Sequence, residues 1–357
     1  MGSPSPYAAA HQDPQGAGDA RPTALQIIKD EGIQGKLSGK VIVILGGTSG
    51  IGVETARALP ATGATLFLTA RNLEKANKNL AEILEPGRVS LVPMDLDSFK
   101  SIRSGAEQIL STSKGQVNLL INSAGVMGIP ERTLTEDGFE SQFSGNYLGI
   151  FLLFQLLKQA LLGSVTPEFR SRVVIVTSSA HRGGILPAND DYSFEKTEYS
   201  YEAAYRNSKL AAVYQANMIE RLYGGQGLHA TSVHPGAINT DISRNLPRGV
   251  PEKIMSNAYI LKIIKSSEQG AATTVWAAGG KEWEQKGGRY LEDCQEAERG
   301  KDDGQILGVG WVKQTYNPEH ENRLWKDSLK LVGLEDQSLK HGLIRVIFPR
   351  YNPSSHL

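Results

Sequence analysis

Lys40-Val41-Ile42-Val43-Ile44-Leu45-Gly46-Gly47-Thr48-Ser49-Gly50-Ile51-Gly52 is the stretch that decides the fold. The β-branched run over 41–45 is short and closed by glycines, so it reads as a buried strand and not as part of a helix. Gly46, Gly50 and Gly52 follow it, and a helical run begins near Val53. A strand, a tight glycine turn and a helix make a phosphate cradle. Glycines let the backbone approach a pyrophosphate, and the free N–H groups of the helix N-terminus favour its charge. Thr48, Ser49 and Ile51 fill the turn, whose spacing is G-x-x-x-G-x-G and not the commoner G-x-G-x-x-G.

The pattern repeats outward from this segment. Strand-like runs recur at 64–69, 89–93, 117–121, 173–177 and 229–233, with helical spacing between them at 73–84, 98–110 and 201–222. Continuously apolar strands alternating with helices predict parallel βαβ units with both sheet faces covered. The expected fold is α/β: a Rossmann-type, doubly wound parallel β-sheet flanked by helices, in a single domain over 25–335. A weaker strand at 288–291 is expected at an edge, and a surface helix over 318–333. Residues 1–24 hold no Leu, Ile or Val and read as a disordered N-terminal tail. Residues 336–357 read as a C-terminal extension.

Composition excludes several functions. The 357 residues carry 38 Lys+Arg against 38 Asp+Glu, a formal charge of zero that argues against nucleic-acid binding. The one cysteine, Cys294, cannot form an intrachain disulfide, and no metal site is expected. The most apolar stretch, 147–162, is broken by Gln155, Lys158 and Gln159, short of the run of roughly 18 residues a membrane span needs. No membrane anchor or secretory signal is read at the N-terminus, and Pro6 stands where myristoylation needs Ser or Thr. A soluble cytoplasmic protein is the expectation. Its rival is a peroxisomal one, because the chain ends Ser355-His356-Leu357, close to Ser-Lys-Leu.

Two further features carry chemistry. The second strand leads into Arg71-Asn72, where NAD sites carry an acidic residue for the ribose 2′-OH. A guanidinium there suits the 2′-phosphate of NADP. Tyr205 and Lys209 are four apart on one helical face. A cation near a phenol favours the phenolate, so the phenol is expected below tyrosine's usual value of about 10, in range for general acid–base work.

Taken in order, these motifs resemble the short-chain dehydrogenase/reductase superfamily over roughly residues 38–292. The resemblance implies that Asp95 contacts adenine and that Asn122-Ser123-Ala124-Gly125, with Asn122 among the cofactor-binding residues, follows the fourth strand. It implies a tetrad of Asn146, Ser178, Tyr205 and Lys209, and a segment Pro235-Gly236-Ala237-Ile238-Asn239-Thr240, with Ile238 and Thr240 at the cofactor, closing over the nicotinamide. Among the adjacent hydroxyls Thr177, Ser178 and Ser179, the alignment favours Ser178, with Ser179 as the alternative. Leu45 and Ser123 depart from the family's Thr and Asn. Closer resemblance is to the retinol dehydrogenase-like branch, through Val126-Met127, Ala180-His181, the segment 286–294 and the Leu324-Trp325 helix.

The implied activity is an NADP-dependent oxidoreductase interconverting a ketone or aldehyde and an alcohol. Ser178 would bind the carbonyl oxygen, Tyr205 would give it a proton, Lys209 would tune Tyr205 and hold the nicotinamide ribose, and Asn146 would position a relay water. The alternatives are a non-redox enzyme on this fold, a dehydratase or cyclase, and an NADP-binding scaffold. Apolar residues over 245–265 suggest a lid and a hydrophobic small-molecule substrate, by resemblance in a specialised (secondary-metabolite) pathway. A homo-oligomer is left open.

Overall fold

The computed structural model describes residues 5–335. Strand β1 (Val41–Leu45) is buried throughout, and its alternation explains why the run is apolar without a break. Val41, Val43 and Leu45 enter one core layer, while Ile42 and Ile44 enter the other. Successive strand side chains point to opposite faces, so a strand covered on both sides has no polar positions.

The remaining strands are β2 (Thr65–Ala70), β3 (Val89–Pro93), β4 (Leu119–Asn122), β5 (Ser171–Val176), β6 (Leu228–His234), β7 (Arg289–Glu292) and β8 (Gln295–Glu296). They form one sheet in the order β3-β2-β1-β4-β5-β6-β7-β8. All pairings are parallel except β7 with β8. The order reverses between β1 and β4, which opens a crevice at their C-terminal ends, the ligand position of doubly wound sheets. The expected fold stands. The strand expected at an edge, β7, is instead covered by β8, which turns back on it through Asp293 and Cys294 at positive φ.

The helices are α1 (Ala24–Asp30), α2 (Gly50–Ala58), α3 (Leu73–Leu80), α4 (Phe99–Thr112), the single turn α5 (Ser141–Phe143), α6 (Gly149–Gly163), α7 (Tyr201–Tyr223), α8 (Val250–Met255), α9 (Ala258–Ile263), α10 (Ser267–Gly270), α11 (Ala272–Gly279) and α12 (Pro318–Leu331). A π turn, Ser144–Leu148, joins α5 to α6. Helices α4, α6, α7 and α12 pack on one face of the sheet, and α1, α2 and α11 on the other. The continuous helix Ser141–Gly163 is long and apolar enough to cross a membrane, but most of it is buried, as a central helix beneath a sheet must be. Helix α12 lies at the surface, with Asn322, Lys326 and Lys330 exposed and its other face packed on the core. Its Leu324, Trp325 and Leu329 are buried, and Trp325 meets Phe151 edge-on at 4.9 Å.

The reading of 1–24 as a disordered tail is overturned for the described residues 5–24. Tyr7 is buried, Arg21 is 4% exposed, and Ala24 already belongs to α1, whose Ile27 and Ile28 are fully buried. The segment is anchored through polar atoms, mainly the Arg21 guanidinium, so a search for apolar anchors passes over it. The extension 336–357, with its terminal Ser355-His356-Leu357, lies outside the described residues.

Candidate active site

A cleft of about 630 Å³ lies across the C-terminal ends of β1, β4 and β5. Its floor is the glycine turn. Gly46 takes φ +72°, and a Cβ there would lie 2.6 Å from the Ala124 backbone. A Cβ on Gly52 would lie 2.0 Å from the Gly46 carbonyl oxygen. Only glycine lets β1, the β4 exit and the first turn of α2 close this tightly, and the closure leaves the N-terminus of α2 facing the cleft. Thr48, Ser49, Gly50 and Ile51 line it, and Thr240 lies over Gly50 from the opposite side. A backbone cradle at a helix N-terminus that a Cβ would fill is what a dinucleotide pyrophosphate requires.

Arg71 and Asp95 line the same end. Asp97, which sequence reasoning missed, lines it too, with its carboxylate 3.7 Å from the Arg71 guanidinium. Burial and the neighbouring Asp95 raise the Asp97 pKa, and Arg71 opposes them. The signal was present in the sequence, since Asp97 lies two residues beyond Asp95.

At the other end Ser178, Tyr205 and Lys209 converge. Ser178 caps the 3-10 turn Ser179–Gly183, accepting a bond from the Ala180 N–H at 3.1 Å. Its hydroxyl also bonds the Tyr205 phenol. Ser179 is buried instead, its N–H donated to His234 Nδ1 at 3.2 Å. The structure therefore brings Ser178 and not Ser179 to the cleft. Lys209 Nζ lies 5.6 Å from the Tyr205 ring centroid, and among the described residues its hydrogen bond is a long one to the Val176 carbonyl at 3.4 Å.

The expected lowering of the Tyr205 pKa is not found. Burial pushes the phenol up to about 12, opposed only by the Ser178 bond. Lys209 is itself pushed down to about 8 by burial. The ammonium lies against the ring and reaches for a backbone carbonyl, so desolvation outweighs its field at the hydroxyl.

Two asparagines lie behind the wall and not in it. Asn146 Oδ1 accepts the Val126 N–H at 2.7 Å, while Nδ2 donates to the Val126 carbonyl at 2.8 Å and the Ser208 hydroxyl at 2.9 Å. That side chain braces the β4 exit from behind the wall. Asn122 is buried at the end of β4, its Oδ1 accepting the Ala124 N–H at 3.2 Å, and it does not line the cleft. Both positions point inward because the loop they hold makes the wall.

Ile238 and Thr240 line the cleft as expected. The apolar residues of 245–265 do not: of that segment only Asn245 does. Ile254, Tyr259 and Leu261 are exposed. Val126, Ile129, Pro130 and Ile242 are among the apolar residues that do line the cleft. Among the described residues no cluster of His, Cys, Asp and Glu could hold a metal ion.

The family model for short chain dehydrogenase matches residues 40–250. The short-chain dehydrogenase/reductase prx1 of Penicillium roqueforti is 47% identical, covering 94% of this chain and 97% of that protein. Oxidoreductase calI of Penicillium decumbens is 42% identical over 93% of this chain and 99% of its own. A solved structure of an uncharacterized protein from Mycobacterium paratuberculosis is 27% identical, with a TM-score of 0.63 over 84% of this chain and 95% of that one.

Proposed function

Because the chain belongs to the short-chain dehydrogenase family, we propose that this oxidoreductase binds NADP and reduces a ketone or aldehyde group of a hydrophobic small molecule to the alcohol. The observation that carries the reading is the convergence of Ser178, Tyr205 and Lys209 in a cleft whose far end is the glycine cradle. Arg71 supports NADP over NAD, because a guanidinium pairs with a phosphate where a carboxylate would repel it. The apolar residues Val126, Ile129, Pro130 and Ile242 in the cleft lining support a hydrophobic substrate, and a specialised biosynthetic pathway would supply one. The proposed partner is this small molecule, with no nucleic acid. The proposed compartment is the cytoplasm.

The cofactor, when bound, supplies a hydride to the carbonyl carbon. The Ser178 hydroxyl donates a hydrogen bond to the carbonyl oxygen and fixes it beside Tyr205. Tyr205, with its pKa pushed up to about 12, is a neutral acid at physiological pH and holds the proton the oxygen needs. The Lys209 ammonium, with its pKa near 8, is mostly charged at that pH. It offsets the negative charge left on the phenol when the proton leaves. Asn146 keeps Val126 in the wall against which the substrate packs.

The test is to mix the protein with NADPH and a panel of apolar ketones and aldehydes and to follow nicotinamide absorbance. One equivalent of NADPH consumed per alcohol formed supports the reading. A dehydrated or cyclised product formed without any absorbance change would replace it.

A further inference from the structure

Residues 5–23 lie outside the stretch matched by the family model, yet they grip the chain that packs behind one wall of the cleft. Arg21 donates from Nη1 to the Ile263 carbonyl at 2.7 Å and from Nη2 to the Ile264 carbonyl at 2.6 Å. These are the last carbonyls of α9, and a cation there satisfies both their lone pairs and the helix dipole. The guanidinium is fixed in turn by Asp19 Oδ1 at 2.8 Å and the Gly16 carbonyl at 3.0 Å. The Gly16 N–H closes the loop onto the Lys262 carbonyl at 2.9 Å. Gln269, 2% exposed, ties the segment to the next helix through the Asp19 and Arg21 carbonyls and the Gly18 N–H.

The residue after Ile264 is Lys265, 3% exposed. Its backbone N–H bonds the Ala237 carbonyl at 2.8 Å, and it forms a parallel bridge with Ile238. Its ammonium donates to the Pro235 carbonyl at 3.2 Å and to Asp293 Oδ1 at 2.6 Å. Gly236, at φ +103°, leaves room for this chain to cross, since a Cβ there would lie 2.9 Å from the lysine methylenes. The N-terminal segment returns at this point as well. His11 Nδ1 lies 3.2 Å from Asp293 Oδ1. Burial pushes the Asp293 pKa up, but His11 and Lys265 together hold it well below the usual carboxylate range. One half-buried carboxylate is thus shared by the lysine behind the Pro235–Ile238 turn and a histidine of the N-terminal segment.

We propose that Arg21 and His11 are positioning residues for the cofactor-facing wall: they clamp Ile264–Lys265, and Lys265 sets the Pro235–Ile238 turn that lines the cleft. The link to cofactor affinity rests on the reading that a nicotinamide dinucleotide fills the cleft. The clamp itself does not. The N-terminal segment is therefore part of the site, and its two contacts fix one side of the cleft before any ligand enters.

The test uses the full chain without cofactor, as wild type, Arg21→Ala, Arg21→Lys and His11→Ala. Hydrogen exchange by mass spectrometry is read beside melting temperature and NADPH affinity from tryptophan fluorescence. Losing charge-assisted bonds to two carbonyls should speed exchange in 235–238 and 260–265 about tenfold or more and weaken NADPH binding about tenfold in Arg21→Ala. Exchange in β1 to β5 should be unchanged. Arg21→Lys should recover part of the loss, because one ammonium cannot span both carbonyls. If Arg21→Ala does not fold, His11→Ala carries the test, with faster exchange expected at 236–237 and 265 only. Unchanged exchange in these segments would overturn the proposal. So would acceleration spread evenly over the sheet in step with a lower melting temperature, which marks a merely structural role. If the wild type binds no NADPH, the functional reading fails while the exchange data still decide the clamp.

Discussion

Replacing Lys209 by methionine should stabilise the protein at neutral pH while abolishing its activity. Burial moves the Lys209 ammonium from 10.5 to about 8. The residue is 3% exposed. Each pKa unit corresponds to about 1.4 kcal/mol, so the charged lysine costs the native state on the order of 3 kcal/mol. The long bond to the Val176 carbonyl returns little of it. Because the folded value is the depressed one, the unfolded chain binds the extra proton between about pH 8 and 10.5, and stability rises with pH through that window. Below it the cost is present in full. Methionine fills a similar volume without a charge, so Lys209→Met should gain about 1–3 kcal/mol at pH 7, and the gain should shrink towards zero by about pH 10. Urea melts of both proteins across this range, compared as a difference, cancel every other titrating group. A variant less stable than wild type at pH 7, or a difference that stays constant to pH 10, would refute the argument. Turnover of the wild type should also fall by about tenfold per pH unit above 8, as the ammonium loses its proton.

Tyr205→Phe keeps the ring but removes the proton donor, so kcat should fall by about 10²–10⁴-fold with NADPH affinity nearly unchanged, measured by steady-state kinetics on a confirmed carbonyl substrate. Arg71→Ala should raise the KM for NADPH about tenfold and leave that for NADH within about a factor of two. The guanidinium is largely exposed and shares its charge with Asp97, which places the effect at the low end of charge-assisted bonds. A fluorescent fusion leaving Ser355-His356-Leu357 free should stay diffuse in cells; punctate peroxisomal signal would move the enzyme there.

The parts of the site legible in the sequence are those where the residue type itself carries the geometry. Gly46 and Gly52 could be found because no other residue tolerates a backbone 2.0–2.6 Å from its Cβ. Tyr205 and Lys209 could be found because helical spacing alone puts them on one face. The direction in which an ordinary polar residue faces is less legible. Asn122 and Asn146 occupy the expected positions but turn into the protein, where they hold the loop that makes the wall. The N-terminal segment was misread for a related reason: a composition rule counts aliphatic side chains, and here the anchor is one guanidinium bonded to helix-end carbonyls.

The sign of the Tyr205 shift was the least legible feature, and it bears most on mechanism. Spacing gives the proximity of a cation but not the depth of burial, and here burial dominates both groups in opposite senses. The outcome separates their roles. A phenol raised to about 12 keeps its proton at neutral pH, so the proton is in place for donation although the group is a weaker acid than free tyrosine. A lysine lowered to about 8 remains mostly charged and can receive the negative charge that proton donation leaves behind. Oxidation of an alcohol would need the reverse, a phenolate already formed to take a proton. Under the proposed function, these resting protonation states suit carbonyl reduction near neutral pH. Running it in the oxidative direction should require raising the pH toward the phenol's own value, where the lysine has already lost the charge that would help form the phenolate.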